Sequence, residues 1–507
     1  MDLSARLDAA AARVWAGSGR LTLCGLAVAS MGFGVLWTFG QLSHLALLMV
    51  LAGSTLALLA LWRGRWEQGR GWWVVITAAC GLTNLLYAHH YPANRELQVA
   101  FALVLTAAAA AAAWLPSGRR AAALIGVAFL ALLGLTASDW PWGSAGVDVF
   151  AAVSGAANSV LHASNPYGPV FRYFVEAKPQ YVFGHFAYGP SVPLLAAIGR
   201  LIGDVRVMSV VCIAATVAGL WYLARQGERP SDAHRVAALA LASPLLVGMI
   251  HETWVDVYML AGIVGWLALR REHRGWATVA LAAGLMVKPT SLILVVPAFL
   301  WSRRGRAEIA VEVVGSVAVI VPFALWTGVG TFVYSFIGYQ LTLPFRTDSL
   351  NLSAFLYQET HLQLPTTFPF IPLVVAAGLV AWRGHPRSEG DLALQAAILN
   401  VVAFILAKQA FFNYYFASEV LLLAAMAGAG VALPREDVAL PEAAELGRAG
   451  RRLRSGLMPR RTPTAAATAV RLPPPPTRKA SSVPPTELSH PARKPPTGAG
   501  RPEKMYP

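Results

Sequence analysis

The sequence predicts an all-α, polytopic membrane protein of about 12–14 transmembrane helices. Three observations carry that expectation. The chain has 507 residues, 56% of them hydrophobic and only 13% charged. Its mean hydropathy is +0.53. Its long apolar runs are separated by short connections that bear arginines.

A window of about 20 residues, enough to cross about 30 Å of hydrocarbon at about 1.5 Å per residue, places five helices first. They fall near 21–40, 43–62, 71–89, 98–115 and 120–137. Further spans follow near 207–224, 236–251, 254–270, 307–327, 367–383, 391–408 and 411–433. Two segments resist a simple crossing. Residues 189–203 are short and begin Gly-Pro-Ser-Val-Pro, and residues 276–301 are broken by Lys288-Pro289, which reads as a helical hairpin that returns. Residues before Leu21 hold no apolar core, so no cleavable leader is expected and the first span should stay as an anchor. Cys24, Cys80 and Cys212 lie in apolar spans and imply neither a disulfide framework nor a metal cluster.

Lysine and arginine in short loops are retained in the cytoplasm. Arg63, Arg65 and Arg70, then Arg119 and Arg120, then Arg270, Arg271 and Arg274, then Arg303, Arg304 and Arg306 all fall on one side under this assignment. The loop with Asp148, the His251-Glu252 junction, the Lys288-Pro289 tip, the 328–366 connection and the Asn413-Tyr414-Tyr415 turn then share the outer side. That convergence of polar residues is the main functional signal in the chain.

The tail from Pro434 is rich in Pro, Ala, Thr, Ser and Arg and is expected to be disordered and cytoplasmic. It supplies about half of the net charge of +15. The basic balance therefore does not point to a nucleic-acid partner. Contact with anionic membrane lipids, worth about 1 kcal/mol per basic residue near the surface, accounts for it more simply.

The stretch Ser144–Pro169, "SAGVDVFAAVSGAANSVLHASNPYGP", is more than a connector. As a helix over 147–162 it places Val149, Phe150, Val153, Ala157, Val160 and Leu161 on one stripe and Asp148, Gly155, Ser159 and His162 on the other. Such a helix suits the membrane interface, with Asp148 toward water or a cavity; Asp148 equally suits the helix dipole alone. Asn165-Pro166-Tyr167-Gly168-Pro169 ends the helix. Arg172 follows, and then "YVFGHFAYGPSVPLL", which contains Tyr188.

Lys288 stands out because only Lys178 and Lys408 are other lysines before the tail. An ionisable group at membrane depth marks a functional site, or a side chain that snorkels from a helix end. His251, Glu252 and Asp256 meet at a span junction, with Glu252 and Asp256 four apart on one helical face. They suit sugar hydroxyls, a cation or a polar turn. Asn413, Tyr414 and Tyr415 suit an acceptor or the interfacial aromatic belt, and Arg346 and Asp348 can pair with each other.

In order and sidedness, "DVFAAVSGAANSVLHASNPYGP", "AYGPSVPLL", "AAGLMVKPTSLILVVPAFLW" and "FFNYYFASEV" resemble the GT-C glycosyltransferase superfamily. The closer likeness is to bacterial membrane mannosyltransferases that use polyprenyl-phosphate mannose. The resemblance covers 120–433, with 138–203 as the external catalytic loop; residues 1–119, with four extra helices, have no counterpart, and 434–507 is the tail. It implies an inverting glycosyltransferase that moves a sugar, mannose in the closer likeness, from a polyprenyl-phosphate donor to a glycolipid or polysaccharide acceptor at the outer face of the plasma membrane. Asp148 would take the proton of the acceptor hydroxyl. Lys288, Arg346, His251 and Arg172, in that order, would stabilise the leaving phosphate. Glu252, Tyr188, Asn413 and Tyr414 would bind sugar or acceptor.

Two departures from the superfamily pattern stand out. Members often carry two acidic residues close together in this loop, whereas Asp148 is flanked by Val147 and Val149, with Asp139 nine residues earlier. No metal site or cofactor is therefore called for, and a divalent cation stays open. Tyr188-Gly189-Pro190 stands where many members have Tyr-Pro-Pro. A lipid-linked sugar transporter or flippase is a rival reading, but such folds carry internal repeats and only one broken segment is seen here. A non-catalytic scaffold is a third.

Overall fold

Every predicted span is helical over most of its length in the computed structural model. The structure describes residues 19–433, apart from 63–65, 67–68, 91–93, 139–147, 169, 176–179, 302, 366 and 384–385. For residues 70, 170–175, 180–184, 303–305, 340 and 381–383 it describes the backbone only. Among the described residues seven helices are long and apolar enough to cross a membrane: Arg20–Trp37, His44–Trp62, Gly71–His90, Arg95–Trp114, Arg119–Ala137, Arg206–Arg225 and Arg306–Thr327. Shorter helices fill the remaining predicted spans, among them Asp256–Leu269, Phe370–Arg383, Glu389–Ile405 and Phe412–Ala427. The chain is a helical, multi-pass membrane protein.

Prolines account for the interruptions, since proline lacks an N–H and its ring clashes with the preceding turn. At Lys288-Pro289 the apolar run splits, as the sequence predicts, into Arg274–Leu285 and Ser291–Trp301. A second split is not expected from the sequence. Ser243-Pro244 divides the predicted span 236–251 into Ala233–Ala242 and Leu246–His251.

The connection 328–366 contains more structure than a loop. Val329–Val333 runs through a π turn at Tyr334–Gly338 into Tyr339–Thr342. Helix Leu352–Thr360 is capped by Asn351, whose Oδ1 accepts from the Ala354 amide at 2.7 Å. Val170–Val175 and Gln180–His185 form an antiparallel hairpin, with Val170 opposite His185 and Val175 opposite Gln180. The aromatic and β-branched runs VFRYFV and QYVFGH are the strand signal there.

Helix Asp148–Leu161 buries Val149, Ala152, Val153, Ala156 and Ala157. The buried stripe is thus rotated from the predicted one: Phe150 and Val160 are half-buried and Leu161 is exposed. Small residues face inward because this helix packs closely on Ser191–Ile202.

Helix Arg20–Trp37 packs against Phe412–Ala427, which carries Asn413 and Tyr414. Gly32 of the first helix also lets the Pro244 ring approach closely, since a Cβ there would stand 2.2 Å from it. Far from these residues in sequence, Arg270 is fully buried: Nη1 lies 3.3 Å from Glu389 Oε2, Nε lies 3.3 Å from Glu308 Oε2, and the guanidinium covers the Trp266 ring at 4.7 Å. Asp139 and the tail 434–507 lie outside the described residues.

Candidate active site

The site is assembled from segments far apart in the chain, and the Asn-Pro-Tyr motif is the first clamp. Asn165 Oδ1 accepts from the Tyr167 amide at 2.8 Å, closing the turn, while its Nδ2 donates to the Thr327 carbonyl at 2.6 Å. Tyr167 is fully buried among Phe186, Phe323 and Phe332. Its hydroxyl donates to the Tyr188 carbonyl at 2.8 Å. The motif therefore serves a structural end, holding the end of the Asp148 helix against the Tyr188 segment.

The Tyr188 segment is in turn joined to the Lys288 break. Gly189 N–H donates to the Val287 carbonyl at 2.9 Å. A Cβ at this glycine would lie 1.9 Å from the Met286 carbonyl oxygen, so no other residue permits the approach. Tyr188 thereby comes over Lys288, whose Nζ lies 5.5 Å from the Tyr188 ring centroid and 5.3 Å from that of Tyr414.

Lys288 does not snorkel to the surface. It is 7% exposed, and its Nζ donates to Asp256 Oδ2 at 2.7 Å. The same oxygen accepts from Asn413 Nδ2 at 2.9 Å. The Tyr414 ring packs against that of Phe404, tilted by 32°, with ring centroids 4.2 Å apart. Of the predicted residues, Lys288, Tyr188, Asn413 and Tyr414 thus meet in one place.

Asp148 lies within electrostatic reach of Lys288. Its side chain is open to solvent, yet protein encloses it closely enough that loss of hydration dominates and raises its carboxyl above the usual range. The Val149 amide, the Arg346 guanidinium and the Lys288 ammonium draw it partly back down. The Tyr188 hydroxyl is pushed well up, chiefly by burial, with Asp148, Tyr414, Asp256 and Tyr339 all close enough to add to the effect.

Arg346 is held by its neighbour. Its Nε and Nη2 donate to the two oxygens of Asp348 at 2.8 and 2.6 Å, and its guanidinium covers Phe411 at 4.9 Å. Both partners are exposed, and the Arg346 amide donates to the Lys408 carbonyl at 3.1 Å, beside the turn that leads to Asn413. Arg172 lies on the first strand of the hairpin, opposite Phe183, and its side chain lies outside the described residues.

His251 and Glu252 form a separate buried group. His251 Nε2 is 3.9 Å from Glu252 Oε1, and the His251 ring meets Tyr87 edge-on at 6.1 Å. Glu252 and Asp256 do not share a helical face. Thr253 adopts φ 58°, in the left-handed region, ending one helix before the next begins at Asp256, and the two carboxylates take different partners. Buried Arg206, not expected from the sequence, donates to the His251 carbonyl at 3.0 Å and covers the Phe150 ring at 4.3 Å. Its signal is sidedness, since it is an arginine at the end of a span assigned to the outer side. Among the described residues no group of three or more His, Cys, Asp or Glu side chains gathers as a metal site would require.

Comparison with known proteins adds one finding. Residues 186–410 match the model of glycosyltransferase family 87, a GT-C-type family of membrane glycosyltransferases. No curated protein and no solved structure matches the chain. The matched segment carries Tyr188, His251, Glu252, Lys288 and Arg346; Asp148, Asn413 and Tyr414 lie outside it. The match supports the resemblance to GT-C glycosyltransferases over residues 186–410.

Proposed function

From a segment of glycosyltransferase family 87 at residues 186–410, we propose that the chain is an inverting glycosyltransferase that takes a sugar, with mannose the favoured one, from a polyprenyl-phosphate donor. The acceptor is a glycolipid or polysaccharide at the outer face of the plasma membrane. In this reading residues 120–433 are the catalytic membrane domain, 1–119 add four helices, and 434–507 are a cytoplasmic tail.

Asp148 takes the proton from the acceptor hydroxyl as that oxygen attacks the anomeric carbon. The bond from that carbon to the phosphate oxygen breaks on the opposite face, its electron pair leaves with the phosphate, and the configuration inverts. Lys288 and Arg346 stabilise the charge that develops on the phosphate. Tyr188 and Tyr414 wall the place where the sugar sits, and Asn413 serves as a further binding residue.

One observation supports this reading above the others: Lys288, held by Asp256 at 2.7 Å between the Tyr188 and Tyr414 rings, lies with Arg346 close enough to the solvent-open Asp148 for both positive charges to lower its carboxyl. The test uses membranes that carry wild-type or Asp148→Asn protein, supplied with radiolabelled polyprenyl-phosphate mannose and native lipid acceptors. Transfer is expected to fall at least about 10²-fold in the variant, the scale for a lost general base. Unchanged transfer overturns the assignment of Asp148. Donor lipid that changes leaflets without sugar transfer supports a lipid carrier instead.

A further inference from the structure

A lysine carries its charge on a flexible four-carbon stem, and its ammonium is strongly hydrated. Lys288 has given up most of that hydration, and one carboxylate oxygen, Asp256 Oδ2, receives its hydrogen bond at 2.7 Å. Asp256 is itself 2% exposed and is the first residue of helix Asp256–Leu269. Its backbone position is set by the break at Thr253, and Asn413 Nδ2 holds the same oxygen at 2.9 Å.

A buried ion pair of this kind adds little stability over apolar residues of similar volume. Stability alone therefore does not explain its presence beside Asp148. The ammonium has three donors, and among the described residues Asp256 is the one hydrogen-bond acceptor for Lys288. Two donors are left for an incoming anion, and the Tyr188 and Tyr414 rings limit the directions from which it can approach.

We infer that Asp256 is the positioning residue for Lys288: it aims the ammonium at the phosphate of the lipid-linked donor and does not itself touch the reacting atoms. This rests on the glycosyl-transfer reading above. It differs from the sequence-based expectation, in which Asp256 faces sugar or a cation with Glu252.

The test is a double-mutant cycle on purified full-length protein with Asp256→Asn, Lys288→Met and the pair together, using decaprenyl-phosphate mannose as donor and extracted native lipids as acceptor. Donor KM, kcat and the thermal midpoint are read for each. D256N is expected to lower donor kcat/KM about 10²-fold, the scale of a misplaced group. K288M is expected to match it, and the double variant to be no worse than K288M alone. Asp256→Glu keeps the charge and should recover part of the loss.

If D256N does not fold, Asp256→Glu carries the cycle: it should lower donor kcat/KM with Lys288 present and change nothing in the K288M background. Losses that multiply in the double variant overturn the inference, as does a midpoint that falls in both backgrounds with donor KM unchanged. A wild-type protein that consumes the donor beside a D256N protein that matches it overturns the Asp256 role alone. A wild-type protein that neither binds nor consumes the donor overturns the glycosyl-transfer reading and this inference with it.

Discussion

The amide of Gly189 donates to the carbonyl of Val287 at 2.9 Å, in a contact so close that a Cβ on residue 189 would stand 1.9 Å from the Met286 carbonyl oxygen. This contact sets Tyr188 over Lys288. Gly189→Ala must push the two segments apart, at a cost of about 1–3 kcal/mol. Thermal unfolding should show that loss, and donor KM should rise with it. A variant of wild-type stability and donor KM would mean that the contact is not maintained in the membrane.

The Asn-Pro-Tyr clamp predicts a graded pair. Tyr167→Phe keeps the ring packing and removes the donor to the Tyr188 carbonyl, so about 1 kcal/mol of stability should be lost. Asn165→Ala removes two hydrogen bonds and should cost about twice as much. Denaturant or thermal midpoints in one detergent check the order.

Asp148 acts as a base only when ionised, and its carboxyl is raised by lost hydration while Arg346 lowers it. Transfer should therefore fall as pH drops, with the acid limb above the usual carboxylate range of about 4. Arg346→Gln removes a lowering charge, so the limb should move to higher pH. Lys288→Met should move it the same way. A pH profile of kcat/KM reads this directly, and a limb that shifts downward in R346Q would contradict the arrangement.

Two arginines separate catalysis from stability. The Arg346–Asp348 pair is solvent-exposed and contributes about 0–1 kcal/mol, so R346Q should unfold near the wild-type temperature while it transfers poorly. Arg270 is buried against Glu389 and Glu308. Arg270→Met leaves a buried carboxylate without its partner and should cost about 3–5 kcal/mol, with turnover per folded molecule unchanged. Paired measurements of midpoint and specific activity distinguish the two.

Helix positions are legible in the sequence because the demand that sets them is local: about 20 apolar residues per crossing and a proline where the ladder must break. Lys288-Pro289 shows itself that way, and Asp148 stands out as a lone carboxylate behind a span. The hairpin at 170–185 does not, because its aromatic residues suit the membrane interface as well as they suit strands. The split at Ser243-Pro244 is hidden because the 16-residue apolar window around it looks continuous.

By itself, then, the sequence determined a multi-pass helical protein with polar residues gathered between its spans. Only the tertiary structure decided which of those residues meet. Glu252 and Asp256 look like neighbours at helical spacing, but the left-handed Thr253 separates them, and Asp256 pairs instead with Lys288 and Asn413. Hydrophobic length acts within one segment and can be counted along the chain. The partner of a buried charge is chosen by how separate helices pack, and no spacing in the sequence encodes that choice.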